Sequence, residues 1–254
     1  MHFFTLAAAL LIPLVIDSAL FEEAVQATPK VLFLQAQNSG NNDLDDIDRL
    51  EEEAKQALEA GNYQKAIEIV EGILVIQGKE LGEEHPDTAT SLYNLAFLYD
   101  KQGLYDKAEP LYQRSLEINE KALGPDHPDI ATILNSLALN YLNQAMFNKA
   151  VPLLRHALAI REKALGPYHL DTATSLHNLA FLYDKQNLYD KAEPLYLLAL
   201  AITEKALGVE HPSTANSLNN LAGLYRRQGL YSKAELLYLR ALAISEKALG
   251  VEHL

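Results

Sequence analysis

The chain has 254 residues, 49% of them hydrophobic and 22% charged, so it can build a packed core and is not disordered by composition. Its formal net charge of −13 argues against general nucleic-acid or anionic-membrane binding, both of which need a basic surface. Cysteine is absent, which excludes disulfides, thiolate metal sites and cysteine nucleophiles.

The first element is an uncharged apolar run from Phe3 to Ile16. It is shorter than the roughly 20 residues a bilayer span needs, and it has the length of a signal-peptide core. Val25-Gln26-Ala27 supplies small and aliphatic residues at the spacing of a cleavage site. Residues 1–27 are therefore predicted to be a signal peptide and the mature protein to be exported, periplasmic or secreted. His2 is the one basic side chain ahead of the run, where such signals carry Lys or Arg; uncleaved, the run would be a buried N-terminal helix of a cytoplasmic protein. No cysteine follows it, which excludes a lipid anchor on that residue. Residues 28–42 end in Gln37-Asn38-Ser39-Gly40-Asn41-Asn42 and read as a linker.

A helical pattern starts at Asp43 with a dense acidic run (Asp43, Asp45, Asp46, Asp48, Glu51, Glu52, Glu53) that reads as a solvated helix face. From there the chain repeats itself. Leu81-Gly82-Glu83-Glu84-His85-Pro86-Asp87 returns three times, and His85, His127, His169, His211 and His253 stand 42 apart. A period of that size predicts a solenoid of stacked helix pairs with a long concave face. The units divide as 43–84 (degenerate), 85–126, 127–168, 169–210 and 211–254, the last ending without a capping helix. In the second unit, Asp87 is the predicted N-cap of a helix A that buries Leu92, Leu95, Ala96 and Tyr99 and stops at Gln102-Gly103. Helix B spans Tyr105 to Leu123, buries Ala108, Leu111, Tyr112, Leu116 and Ile118, and stops at Gly124-Pro125. The short turn between them makes A and B antiparallel. Pro110, Pro152 and Pro194 share one register of helix B, which predicts a helix start just before them and a slight bend.

The period alone does not separate solenoid types, since HEAT and armadillo repeats have similar lengths. The residues between the histidines do. The second unit carries Leu95, Ala96, Tyr99, Gly103, Tyr105, Ala108 and Tyr112; the fifth carries Leu221, Ala222, Tyr225, Gly229, Tyr231, Ala234 and Tyr238. This pattern resembles the tetratricopeptide repeat. The 42-residue form, with its His-Pro-Asp turn and Asn-Leu-Ala core, resembles the kinesin-light-chain type over residues 43–254. The resemblance implies an all-α right-handed superhelical solenoid of antiparallel helix pairs, with helix A lining a concave groove.

Chemistry is sparse. The histidine series does not suit a metal, because equivalent positions in neighbouring repeats lie about 10 Å apart, whereas zinc ligands all lie about 2 Å from one ion. No His-Glu-x-x-His, phosphate loop or nucleophile elbow occurs, so no catalytic set, metal or cofactor is predicted and the chain is not read as an enzyme. The candidate site is the outer side of helix A: Tyr93, Asn94 and Phe97; Asn135 and Leu139; His177, Asn178 and Phe181; Asn219, Asn220 and Arg226. Asn94, Asn178 and Asn220 form a ladder of amides, and an amide can donate to and accept from a peptide backbone at once. The resemblance implies that groove asparagines hold a bound peptide this way, with Tyr93, His177 and Arg226 tuning specificity. The predicted function is a scaffold that binds a protein or peptide, with no nucleic acid and no membrane span. Two alternatives stand beside it: the sensor portion of a larger effector or enzyme, and a self-assembly module that associates through the C-terminal helix.

Overall fold

The computed structural model describes residues 42–249. The predicted signal peptide, the linker up to residue 41 and the final turn at His253 lie outside the described residues. Within them the backbone forms ten α-helices and no strand: α1 (Asn42–Glu59), α2 (Tyr63–Glu80), α3 (Pro86–Lys101), α4 (Tyr105–Leu123), α5 (Pro128–Asn143), α6 (Phe147–Leu165), α7 (Leu170–Lys185), α8 (Tyr189–Leu207), α9 (Pro212–Arg227) and α10 (Tyr231–Leu249). The fold is an all-α array of helix pairs. Helices α1–α6 belong to one compact unit and α7–α10 to a second. Odd-numbered helices are the A helices and even-numbered ones the B helices. In the first unit each A helix packs on its own B helix and on the B helix before it; in the second, α7 packs on α8, and α9 on both α8 and α10.

The A helices start differently from the expectation. Asp87 is the second helical residue, and the cap is His85, whose Nδ1 accepts the Asp87 backbone N–H at 3.2 Å. Proline is tolerated at the first helical position, and it forces the residue before it into extended backbone, which is the conformation an N-cap needs. His85 has ψ 142°. His127, His169 and His211 cap α5, α7 and α9 in the same way, at 3.3, 3.1 and 3.1 Å. His169 does so with Leu170 in place of proline. The four described histidines of the 42-residue series are thus helix caps.

Helix α4 begins at Tyr105, five residues ahead of Pro110, so the proline lies inside the helix rather than in its first turn. The helix continues through it. Pro110, Pro152 and Pro194 are exposed, which lets water solvate the carbonyl that each proline leaves unbonded. The A helices end in left-handed residues: Gly103 and Gly229, and also Ala145 (φ 57°) and Asn187 (φ 58°) where glycine is missing. Alanines fix the spacing within each pair. Ala96, Ala108, Ala138, Ala150, Ala180, Ala192 and Ala222 are wholly buried, and Tyr112, Leu154 and Tyr196 fill the room around them.

Candidate functional site

On α3 the outer side expected to face a groove is instead largely covered. Tyr93, Asn94 and Phe97 are 1%, 4% and 7% exposed. The reason is that α3 is flanked by another A helix as well as by B helices: α5 packs beside it. The Tyr93 hydroxyl meets Ser136 Oγ of α5 at 3.0 Å, and its ring lies 5.6 Å from that of Tyr112 on α4. Tyr93 therefore braces three helices and does not line a surface.

Next to it is a polar knot. Asp100 accepts Asn140 Nδ2 of α5 at 2.7 Å and is also hydrogen-bonded to Tyr112. Asn140 donates further to the Tyr105 carbonyl at 3.2 Å and accepts from Gln144 at 2.8 Å. Burial pushes the Asp100 carboxyl up to about 6, against the pull of its hydrogen bonds from Asn140 and Tyr112. Asn140 was not among the predicted site residues. Its signal was in the sequence: it is the polar member of a register otherwise held by Leu98, Leu182 and Leu224.

Asn135 occupies the Tyr93 position one repeat on and belongs to the same buried set. It is 7% exposed, and its Oδ1 has no hydrogen-bond partner among the described residues. Its neighbours at helical spacing on α5, Thr132 and Leu139, stay partly exposed, and Asn143 is fully so. Arg161 reaches in from α6 to hydrogen-bond Thr132 at 3.3 Å.

The second unit presents more of its predicted set. His177 on α7 is half-buried, its ring edge-on to Tyr196 at 5.2 Å, and desolvation lowers its pKa to about 4, so it is neutral at pH 7. Asn178 is buried. Phe181 is partly exposed beneath the Lys185 ammonium, 4.9 Å from the ring centre. Asn219, Asn220 and Arg226 are half-buried on α9. Asn220 Nδ2 is already engaged by the Asn216 carbonyl of its own helix at 2.9 Å. The amide ladder thus divides: Asn94 and Asn178 are packed inside, and Asn220 is half-open.

One pairing was not anticipated. Arg227 of α9 reaches α7 and holds Asp184, a wholly buried carboxylate, through Nε at 2.9 Å and through Nη2. Gly223 lies against this guanidinium. It stands where other repeats have Phe97, Leu139 or Phe181, and a Cβ there would lie 3.4 Å from the guanidinium.

Helix pairs, histidine caps and alanine contacts agree with the sequence comparison, in which the tetratricopeptide repeat profile matches residues 51–121, 93–163, 129–205 and 180–247. The chain belongs to the tetratricopeptide repeat family. Solved structures of kinesin-light-chain-like repeats are similar to it. A Podosopora anserina protein, described as a kinesin light chain with nearly identical TPR-like repeats, is 30% identical, with TM-score 0.69 over 83% of this chain and 99% of that one. BtubC (BKLC) from P. vanneervenii is 27% identical, with TM-score 0.70 over 82% of each chain. MamA from Desulfovibrio magneticus RS-1, 13% identical with TM-score 0.56 over 82% of this chain and 98% of that one, shares the fold. No curated protein matches the chain. Tetratricopeptide repeats serve as protein-interaction scaffolds, and none of the described helices is long and apolar enough to cross a membrane.

Proposed function

We propose that this tetratricopeptide array binds extended segments of a partner protein along the open edges of the A helices within each unit. Asn135 carries the reading. A buried carbonyl oxygen without a donor costs about 1–3 kcal/mol, and a ligand backbone N–H would remove that cost. Leu139 beside it offers an apolar contact, and Thr132 and Asn143 offer polar ones. In the second unit His177, Phe181, Asn219 and Arg226 offer the corresponding mixture, an uncharged imidazole included. Asn135 is as buried as Asn94, Asn178 and Tyr93, so a ligand reaches any of the four only if the A helices part, whereas Thr132, Leu139 and Asn143 are open to it directly. The apolar run at Phe3–Ile16 and the site at Val25-Gln26-Ala27 further support an exported protein that begins near Thr28. N-terminal sequencing from the native host checks this, and an intact Met1 in the mature protein contradicts it.

The binding reading is tested with linear peptides selected on the full chain from a displayed random library, then titrated by calorimetry. Asn135→Leu keeps the branching and heavy-atom count of the side chain and removes the acceptor. It should weaken a selected peptide about tenfold, the equivalent of roughly 1.4 kcal/mol, and leave the circular dichroism spectrum unchanged. Unaltered affinity in a folded Asn135→Leu chain overturns the assignment.

A further inference from the structure

Each B helix turns one row of residues, three and four apart, out to solvent. In the second repeat the row reads Pro110, Gln113, Glu117, and in the third Pro152, Arg155, Ala159, all exposed. In the second unit it reads Pro194, Leu197, Ala201 on α8 and Leu236, Leu239, Ala243 on α10, again all exposed. Leu236, Leu239 and Leu197 are 70%, 55% and 45% open to water. The same outward register thus changes from proline and polar side chains to leucine toward the C-terminal repeats. The leucines are not needed by the fold, because Gln113 and Arg155 occupy their place earlier in the chain. A contiguous exposed apolar row marks a contact surface.

We propose that this row is the interface between two copies of the chain, paired in parallel along α10. The charges beside the row commit the occupant and its direction. Leu236, Leu239 and Ala243 follow one another at spacings of three and four, the seam of a two-stranded coiled coil. Lys233, Arg240 and Lys247, seven apart, run along one flank, and Glu235 stands on the other. A two-fold axis parallel to the helix sets Arg240 of one copy against Glu235 of the second. An antiparallel pairing would set the lysines and arginine against their own kind. Glu235 precedes Arg240 by five residues, the offset at which flanking side chains meet across a parallel seam, and two-fold symmetry makes that contact twice. The flank has partners within the chain as well: Lys233 lies 5.0 Å over the Tyr225 ring, Arg240 binds Glu204 at 2.7 Å, and Lys247 pairs with Glu210. Arg240 and Lys247 nonetheless keep 42% and 66% of their side-chain surface open, enough for a second acceptor. The row faces away from the A helices, so the inference stands apart from the peptide-binding proposal.

Sedimentation equilibrium of the full chain over a wide concentration range tests it. The parent chain should dimerise. Leu236→Glu with Leu239→Glu, and separately Leu197→Lys, should raise the dimer dissociation constant at least tenfold with unchanged helicity. These side chains are exposed, so the fold does not depend on them. Glu235→Arg alone and Arg240→Glu alone should each weaken the dimer, and the two together should restore it. A parent that stays monomeric overturns the proposal, whether residues 3–16 of the chain or another protein covers the row. A dimer indifferent to the leucine changes overturns it too, and charge variants that fail to rescue each other overturn the parallel arrangement.

Discussion

Arg227→Ala isolates what the ion pair between the last two A helices contributes. The substitution leaves Asp184, which is wholly inside the second unit, without its guanidinium. A buried carboxylate that loses its cationic partner costs about 3–5 kcal/mol. The variant should therefore lose about 3–5 kcal/mol at pH 7. Urea denaturation followed by circular dichroism measures this. Asp184→Leu combined with Arg227→Met should recover most of the loss at pH 7, because Leu142 already sits buried at the equivalent position of α5. A loss below about 1 kcal/mol at pH 7 would refute the claim that Arg227 neutralises the buried Asp184 charge.

Asp100→Asn should stabilise the first unit at pH 7. The Asp100 carboxyl is raised to about 6 in the fold, so its favourable contribution is complete below the unfolded value and is lost as pH rises toward 6; the parent melting temperature should carry that slope and the variant should not. His177 runs the other way. Its pKa is depressed to about 4, so the stability it contributes is present above the unfolded value of 6.5 and is lost as pH falls toward 4; a ring-nitrogen NMR titration midpoint near 6.5 would contradict the packing against Tyr196. Ala145→Gly should stabilise the chain by about 1 kcal/mol, because Ala145 holds the left-handed conformation that Gly103 and Gly229 adopt freely; thermal denaturation shows it, and a loss of stability would mean that its methyl group packs usefully.

The repeat grammar was legible because it is periodic. Gly103, Tyr105 and Ala108 mark the turn and the second helix of their repeat, and the expected Tyr105–Leu123 is the observed helix. The caps were misread because Asp87 is a common capping residue, whereas proline after histidine leaves the cap to the histidine itself. The outer side of helix A was misjudged for a tertiary reason. A helical wheel shows which residues face away from helix B, but not that the next A helix closes over Tyr93, Asn94 and Phe97. Arg227 and Asp184 were visible as charges on the A helices, yet their pairing follows from the packing of α9 beside α7, which the sequence pattern does not show. Asn135 stood in the candidate set for its residue type; its unpaired carbonyl appeared only once the neighbouring helices were in place.

Hydrogen exchange of the full chain, with and without a selected peptide at saturating concentration, addresses the central claim most directly. Binding along the A helices predicts protection concentrated in α3, α5, α7 and α9, strongest around Thr132–Asn143 of α5 and diminished in Asn135→Leu. Protection confined to α4, α6, α8 or α10, with the A helices exchanging as in the free chain, would contradict it.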